Sequence, residues 1–321
     1  MPAELKPVSI EAIRAAAERL AGLAIRTPLV RLNVEDAPAE IYLTLENLQP
    51  IGSFKIRGAG NKLRGARPED LAEGVYTASS GNMAQGVAWT ARELGVPATV
   101  IVPESADKTK LAAVERFGGT TRLVSFERWW QTLVEHGFPG QPGLFVHPVA
   151  DPQVIAGNGT IGLEIIDDLP EVDTVLVPYG GGGLITGIAA AVKALKPTVR
   201  VLASESEAAR PLAAAFEAGA PVEVPYGPNF ITGMGGRSVL PEMWPMVRAL
   251  VDGAVSSTLA EVAAAIRLIF ERNRVVAEGA GAAPVAAALK GAAGGGKVVC
   301  VVSGGNLDAE AMVTILQGGV P

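Results

Sequence analysis

Cysteine and histidine are scarce in this 321-residue chain, which contains one cysteine and two histidines. A single cysteine, Cys300, excludes an intramolecular disulfide and a thiolate metal cluster, and it favours a reducing compartment. Because it lies within the apolar run 298–302, we expect a buried core thiol. Neither His136 nor His147 has the spacing of a metal site or a serine triad, so we expect both to be structural and no metal to be bound.

Aromatic residues form 5% of the chain and charged residues 19%, whereas 49% of the residues are hydrophobic. The net charge of −6 and the pI near 5.2 offer no general attraction to nucleic acid or to anionic membranes. No apolar run approaches the roughly 20 residues of a membrane span, and the N-terminus lacks an apolar signal core. We therefore expect a cytoplasmic protein with small-molecule partners, no nucleic acid and no membrane.

The chain from residue 75 onward alternates short apolar runs with helix-like segments. Runs such as 75–78, 98–102 and 174–177 have the length and composition of buried strands. This alternation is typical of parallel α/β structure, and the chain length suits about two domains. The glycine- and proline-rich segment 219–241 interrupts the alternation and predicts a long functional or mobile loop.

A run of four glycines follows the strand-like segment 174–177 and precedes a helix-like segment, 185–195. Without Cβ atoms, several backbone N–H groups can converge on one anion at the positive end of the helix. A phosphate group is the natural ligand for such a loop. The same residues also suit a tight strand-to-helix turn without a ligand, so the run alone leaves both readings open.

Lys55 stands in the segment Ser53-Phe54-Lys55-Ile56-Arg57-Gly58, directly after a turn. We place Lys55 near a helix start, where the helix field and the nearby Arg57 help to lower the pKa of its amine. A lysine so placed is a candidate nucleophile. Taken alone, the segment favours a solvated lysine on an amphipathic helix, since surface lysines are common.

Two further motifs complete a set that spans most of the chain. They are Ser79-Ser80-Gly81-Asn82-Met83-Ala84-Gln85-Gly86 and, after the apolar run 297–302, Ser303-Gly304-Gly305-Asn306. In open α/β sheets ligands bind at the carboxyl ends of strands, which is where the second motif falls. With the lysine segment and the glycine run, this set resembles the fold-type II pyridoxal-phosphate enzymes, specifically the serine/threonine dehydratase and serine racemase group.

The resemblance implies an α/β fold like that of the tryptophan synthase β chain, with two open twisted domains and the cofactor in the cleft between them. Residues 1–73 and 149–321 are then the large domain that binds pyridoxal 5'-phosphate. Residues 74–148 are then a small mobile domain with the loop that binds the substrate carboxylate. Dimers are usual in the family, so a homodimer is expected.

The resemblance also assigns the site residues. Lys55 binds the cofactor covalently and is the catalytic base, Phe54 lies beside the cofactor ring, Asn82 binds the phenolic oxygen and Ser303 the pyridine nitrogen. The cofactor phosphate is held by Gly180, Gly181, Gly182, Gly183 and Leu184. The substrate carboxylate is bound by Ser79, Ser80, Asn82 and the backbone of Met83. Ser80 is also assigned as catalytic, because it matches the opposite-face acid of serine racemases.

The implied reaction is an α,β-elimination that converts a β-hydroxy amino acid such as L-threonine or L-serine to a 2-oxo acid and ammonia. A serine at the pyridine nitrogen makes the ring a moderate electron sink, which suits elimination at Cβ. The sequence after Ser303 lacks the module with which biosynthetic threonine dehydratases sense isoleucine, so a catabolic or specialised enzyme is expected.

Departures from the family pattern leave alternatives open. Met83 stands where the family often has histidine, which makes the substrate loop less polar and favours a bulkier substrate such as phenylserine. Pro211 falls where serine racemase-like enzymes place a later acidic ligand of a divalent cation, so no metal is expected. A serine racemase is a further alternative. A non-catalytic phosphate-binding protein is an alternative of a different class.

Overall fold

The computed structural model describes residues 5–106, 108–227 and 229–321. Within these residues the backbone forms one six-stranded and one four-stranded sheet, with helices packed against both. This arrangement confirms the predicted α/β fold class. Residues 1–4 and Pro228 of the predicted large domain and Asp107 of the predicted small domain lie outside the described residues.

The strands of the two sheets are numbered in chain order. They are β1 (Leu29–Arg31), β2 (Glu40–Leu45), β3 (Val75–Ala78), β4 (Ala98–Pro103), β5 (Thr120–Val124), β6 (Leu144–Phe145), β7 (Thr174–Pro178), β8 (Arg200–Ser206), β9 (Gly253–Ser257) and β10 (Lys297–Val302). The six-stranded sheet has the order β1-β2-β10-β7-β8-β9, in which only the β1–β2 pairing is antiparallel. The four-stranded sheet has the order β5-β4-β3-β6 and is parallel throughout.

The helices alternate with the strands and cover both sheets. They are α1 (Ile10–Leu20), α2 (Lys55–Arg64), α3 (Pro68–Leu71), α4 (Asn82–Glu93), α5 (Lys108–Arg116), α6 (Phe126–Val134), α7 (Pro152–Asp168), α8 (Gly183–Leu195), α9 (Pro211–Ala218), α10 (Trp244–Leu250), α11 (Leu259–Asn273), α12 (Gly279–Leu289) and α13 (Ala309–Leu316). One turn of 3-10 helix spans Glu46–Leu48. None of the described helices is long and apolar enough to cross a lipid bilayer.

The core of the six-stranded sheet is built on both of its faces. Successive side chains of a strand point to opposite faces, and in β10 this places Val298 and Cys300 in one apolar cluster and Val299 and Val301 in the other. Cys300 is fully buried, and burial raises the pKa of its thiol well above the ordinary value. The expectation of a buried core thiol is therefore confirmed.

The elements outside the segments predicted from the sequence include α3, β9, α9, α10 and α13. β9 has the sequence Gly-Ala-Val-Ser-Ser and is only half-buried at the edge of its sheet, so it carries no apolar run. α9 and α10 border the predicted irregular segment 219–241 and both begin beside a proline. The irregular segment itself contains no helix or strand among its described residues.

Candidate active site

The four glycines lie between a buried strand and a buried helix. β7 ends at Pro178 and α8 begins at Gly183, two residues before the predicted start at Ile185. Gly182 has a φ of +99°, a left-handed conformation that glycine adopts without strain. The N–H groups in the first turn of a helix have no acceptor within the helix, and they lie at the positive end of its dipole. The loop therefore has the geometry of an anion site.

Neighbouring backbone and side chains crowd this loop so closely that three of its glycines have no room for a side chain. A Cβ on Gly180 would lie 2.9 Å from the carbonyl oxygen of Gly233. A Cβ on Gly181 would lie 2.6 Å from the side chain of Val149, and one on Gly183 would lie 2.9 Å from the carbonyl oxygen of Val149. Close packing therefore requires glycine at these three positions. A flexible connector would not need such close contacts.

Lys55 is the first residue of α2, as predicted, and its side chain is partly buried. Its Nζ donates a hydrogen bond to the carbonyl oxygen of Pro148 at 2.8 Å and lies 5.1 Å from the centre of the Phe54 ring. Burial lowers the pKa of the amine to about 8. The reading of Lys55 as a solvated surface lysine is therefore wrong, and a substantial neutral fraction exists near neutral pH.

The cause of this pKa shift differs from the cause predicted, because Arg57 points away from Lys55. The Arg57 guanidinium is buried and bonds to Glu46 at 2.8 Å and to Glu164 at 2.7 Å. It also donates to the hydroxyl of Thr160 at 2.9 Å. These carboxylates raise the pKa of Arg57 and neutralise its charge locally. The ion pairs join α2 to α7 and to the 3-10 turn, so their effect on Lys55 is to fix its helix.

The dipeptide Pro148-Val149 connects Lys55 to the glycine loop. Pro148 accepts the hydrogen bond from the Lys55 amine, and Val149 packs against Gly181 and Gly183. A side chain just before this dipeptide fixes its backbone, because Nδ1 of His147 accepts the N–H group of Val149 at 3.1 Å. Lys55 and the glycine loop therefore contact the same dipeptide, Pro148-Val149, which forms one wall of the site.

Ser303 follows β10 directly and is 2% exposed. Its carbonyl oxygen accepts the N–H group of Phe54 at 3.0 Å, and a β-bridge joins Ser53 to Gly304. The motif after β10 is thereby held against the segment that leads into α2. Three predicted cofactor residues, Phe54, Lys55 and Ser303, are brought together in this way.

The serine loop connects β3 to α4. Ser79 accepts the N–H group of Gly81 on its hydroxyl at 3.2 Å, and α4 begins at Asn82. The side chains of Ser79, Ser80 and Asn82 are all partly exposed. The loop thus presents two hydroxyl groups, one amide and a helix N-terminus, a set of hydrogen-bond donors that suits a carboxylate.

Met83 occupies a different position from the one predicted for its side chain. It is 1% exposed and lies in an apolar cluster with Val87 of its own helix and Val154 of α7. The interpretation that this side chain makes the substrate loop less polar is therefore wrong. It points into the core because it follows Asn82 on α4 and so faces about 100° away from it, which leaves only its backbone for the loop.

Asn82 is held by two side chains from the far end of the sequence. Its Nδ2 donates to Oε1 of Glu278 at 2.8 Å, and its Oδ1 accepts from Nδ2 of Asn306 at 2.9 Å. Glu278 is 4% exposed and lies just before α12. Asn82 is therefore joined to the same motif that carries Ser303.

His136, His147 and Glu242 form a cluster whose ligand atoms lie within 4.8 Å of one another. The two imidazole rings stack with centroids 4.5 Å apart, and Nε2 of His136 lies 3.0 Å from Oε2 of Glu242. Burial and the neighbouring His136 lower the pKa of His147 to about 3, against a backbone hydrogen bond to Leu133. His147 is thus a neutral, hydrogen-bonded ring, which accords with the structural role expected for it.

A family model described as pyridoxal-phosphate dependent enzyme matches residues 20–304 of the chain. The chain belongs to this family. The L-threonine ammonia-lyase of Geobacter sulfurreducens is 41% identical to it over 96% of this chain and 78% of that protein. The catabolic L-threonine dehydratase of Escherichia coli is 40% identical over 94% of each protein. The structure of maize serine racemase superposes with a TM-score of 0.89 at 32% identity, covering 96% of both chains.

The residues of this pyridoxal-phosphate dependent enzyme fit its cofactor. The glycine loop at the start of α8 offers an anion cradle that a Cβ atom would fill. Lys55 offers an amine whose lowered pKa leaves part of it neutral, as attack on an aldehyde requires. Both lie on the wall formed by Pro148-Val149.

Several residues that shape the site escaped the sequence analysis. The partners of Arg57 lie 11 and 107 residues away in the chain, so no local spacing announces them. Glu278 and Asn306 lie 196 and 224 residues from Asn82. Asn306 could have been found from the sequence, because it ends the motif Ser303-Gly304-Gly305-Asn306. Only Ser303 of this motif was predicted to contact the cofactor.

Proposed function

We propose that this protein is a pyridoxal-phosphate dependent ammonia-lyase that converts a β-hydroxy amino acid to a 2-oxo acid and ammonia. The proposal depends on the position of Lys55. Its amine has a pKa of about 8 and contacts Pro148-Val149, the dipeptide that also packs against the glycine loop. The names of the two curated relatives, an L-threonine ammonia-lyase and an L-threonine dehydratase, support L-threonine as substrate, with L-serine as its smaller analogue.

The residues we propose for the cofactor lie on four segments. Phe54 and Lys55 begin α2, Asn82 begins α4 and Ser303 follows β10. The phosphate is assigned to the backbone N–H groups of Gly180, Gly181, Gly182, Gly183 and Leu184. We assign the substrate carboxylate to Ser79, Ser80, Asn82 and the backbone of Met83. When bound, pyridoxal phosphate withdraws electrons from the substrate Cα and so acidifies the proton there.

In this proposal Lys55 is the base that takes the Cα proton. The bond between Cβ and the hydroxyl oxygen then breaks, and the hydroxyl group takes up a proton and leaves as water. The resulting unsaturated amine moves a proton from nitrogen to Cβ and becomes an imine. Water adds to the imine carbon and ammonia leaves, so one substrate gives one 2-oxo acid and one ammonia. Lys55 suits this work because a base is most effective when its pKa lies near the working pH.

The test is turnover of the holoenzyme with L-threonine, L-serine and phenylserine, each followed for 2-oxo acid and for ammonia. We expect equal amounts of both products, with L-threonine or L-serine as the best substrate. Lys55→Ala should lower kcat by about 10⁴-fold. Lys62→Ala is the matched control, because Lys62 lies on the same helix and pairs with Asp151. Full turnover by Lys55→Ala, or no 2-oxo acid from any of the three substrates, would refute the proposal.

The same assay separates the other readings. A preference for phenylserine would identify the dehydratase for bulky substrates. Formation of D-serine from L-serine would identify a racemase, for which the partly exposed Ser80 is the candidate opposite-face acid. A protein that binds the cofactor but turns over no amino acid would be a non-catalytic phosphate-binding protein.

We also propose a homodimer that acts in the cytoplasm, with residues 74–148 as a small domain that moves against the remainder. The single buried cysteine supports a reducing compartment. Light scattering of the purified holoenzyme measures the mass, and about twice the 33.0 kDa of one chain is expected. Fractionation of cells that express the protein tests its location.

A further inference from the structure

We propose that Asn306 is a positioning residue that fixes the orientation of the Asn82 side-chain amide and ties it to the segment before Lys55. The inference rests on the proposed function, because it concerns the residue assigned to the phenolic oxygen of the cofactor. It explains why the motif after β10 continues beyond Ser303 to an asparagine.

The Asn306 amide joins two segments that both lead into site helices. Its Nδ2 donates to Oδ1 of Asn82 at 2.9 Å and to the carbonyl oxygen of Ile51 at 3.0 Å. An amide nitrogen has two hydrogens, and here each has an acceptor. Of these two acceptors, Asn82 is the first residue of α4, and Ile51 lies four residues before Lys55, the first residue of α2.

These contacts leave Asn82 only one favourable orientation. Its oxygen faces the donating nitrogen of Asn306, and its nitrogen faces the accepting carboxylate of Glu278 at 2.8 Å. A flipped amide would place oxygen against carboxylate and nitrogen against nitrogen, and it would lose both hydrogen bonds. In the observed orientation, one Nδ2 hydrogen of Asn82 serves Glu278 and the second is directed to the ligands proposed for this residue.

The backbone around Asn306 is built to admit its side chain. Gly52 has a φ of +71°, and a Cβ on Gly52 would lie 2.7 Å from Oδ1 of Asn306. The N–H group of Gly305 donates to the carbonyl oxygen of Gly52 at 2.9 Å, which holds the two segments side by side. A side chain at Gly52 would therefore displace Asn306 as well as strain the turn.

Asn306 is exposed, so its replacement leaves no buried cavity, and its variants are expected to fold. Asn306→Ala removes the donor and frees the Asn82 amide to rotate. Asn306→Asp keeps the size and shape but sets an oxygen against the oxygen of Asn82, so that one amide lies between two carboxylates. Asn47→Ala is the matched control, since Asn47 is an amide nearby that donates to the carbonyl oxygen of Val276 at 3.1 Å.

The experiment measures pyridoxal phosphate affinity by titration of the apoenzyme, and the visible absorption of the bound cofactor as a function of pH. We expect about tenfold weaker binding in Asn306→Ala. We expect a larger loss in Asn306→Asp, with the midpoint of the absorption change moved by about one pH unit. Asn47→Ala should match the wild type in both measurements.

A double-mutant cycle with Asn82→Ala decides whether Asn306 acts through Asn82. In the Asn82→Ala background the Asn306 substitutions should have no further effect on either measurement. A full additional loss in that background, or wild-type behaviour of both Asn306 variants, would overturn the inference. Neither measurement needs turnover, so a protein that fails to form 2-oxo acid refutes the proposed reaction while the cycle still tests Asn306.

Discussion

The two sheets of the molecule bury their central strands equally well, since Val100 and Ile101 of β4 are 0% exposed, but they differ at an edge strand. In the six-stranded sheet, Val298 and Val301 of β10 are 0% exposed. In the four-stranded sheet, the edge strand β5 leaves Leu123 55% exposed, and the adjacent sequence of α6 leaves Phe126 and Trp130 57% and 47% exposed. Burial of apolar surface is the main favourable contribution to folding, so we expect the four-stranded region to be the less stable one.

This difference coincides with a division of labour in the proposed site. Lys55, the glycine loop and Ser303 lie on α2, between β7 and α8, and after β10, all joined to the well-buried region. Ser79 and Ser80 follow β3 of the four-stranded sheet. In the proposed site, the cofactor residues other than Asn82 would therefore lie in the better-buried region and the two serines for the substrate carboxylate in the other region, an arrangement that suits closure on the substrate.

The largest expected effect concerns the buried ion pairs of Arg57. Arg57→Ala should lower the free energy of unfolding by about 3–5 kcal/mol, because Glu46 is left buried without its partner. Arg128→Ala in α6 is the counterpart in the four-stranded region, where the guanidinium lies 4.7 Å from the Phe138 ring at the surface, and it should cost less than about 1 kcal/mol. Urea denaturation measures both values, and equal losses would contradict the comparison.

The next effect is the reactivity of Lys55 in the apoenzyme. With a pKa of about 8, the neutral amine fraction at pH 7.5 is about 200-fold larger than for an ordinary lysine of pKa about 10.4. The neutral form gains as pH rises, so acylation of Lys55 should increase up to about pH 8 and then level off. Peptide mapping after brief acylation measures this, with Lys62 as the internal reference. A Lys55 rate that still climbs tenfold per pH unit above pH 9 would contradict the shift.

A buried and an exposed apolar side chain, one from each sheet, provide a further test of the comparison. Val301→Ala should lower the free energy of unfolding by about 2 kcal/mol, because it opens a cavity in the centre of the six-stranded sheet. Leu123→Ala should change it by less than about 0.5 kcal/mol, since its side chain is mostly in solvent. If Leu123→Ala proves the more costly, the exposed surface of the four-stranded sheet is covered in solution.

The smallest effect distinguishes two glycines at the site. Gly181→Ala should weaken pyridoxal phosphate binding by about tenfold, because the new methyl group meets Val149 and shifts the loop. Gly81→Ala in the serine loop meets no atom within 4 Å, so cofactor affinity should be unchanged. Titration of the apoenzyme variants measures both. Equal losses of cofactor affinity in the two variants would indicate that the serine loop also contacts the phosphate site.

Sequence patterns predicted the helices and strands that are marked by a short run of residues in the chain itself. β3, β7 and β10 are continuous apolar runs between turn residues, and β3 and β10 match their predicted bounds. β9 escaped because a half-buried edge strand needs no apolar run. The motifs likewise predicted that Lys55 opens a helix and that the glycines form a turn into α8.

What the sequence did not predict depends on contacts between distant segments. The neutralisation of Arg57 requires Glu164, which is 107 residues away. The buried position of Met83 depends on how α4 packs against α2, and that packing is not encoded in the motif around it. His136 precedes β6 and His147 follows it, and their rings stack on each other. The spacing of the two histidines in the chain does not predict this contact.

The chain enters the four-stranded sheet and leaves it at almost the same point. The N–H group of Leu144 in β6 bonds to the carbonyl oxygen of Gly74 at 3.0 Å, and Pro148-Val149 follows at once on the shared wall of the site. An exchange of the intervening segment as one piece would therefore leave the path of the flanking chain unchanged, provided that the contacts of α4 with α2 are kept. Such an exchange would offer a route to a new substrate with Lys55 and the glycine loop in place, and chimaeras joined at Gly74 and Leu144 put this route to the test.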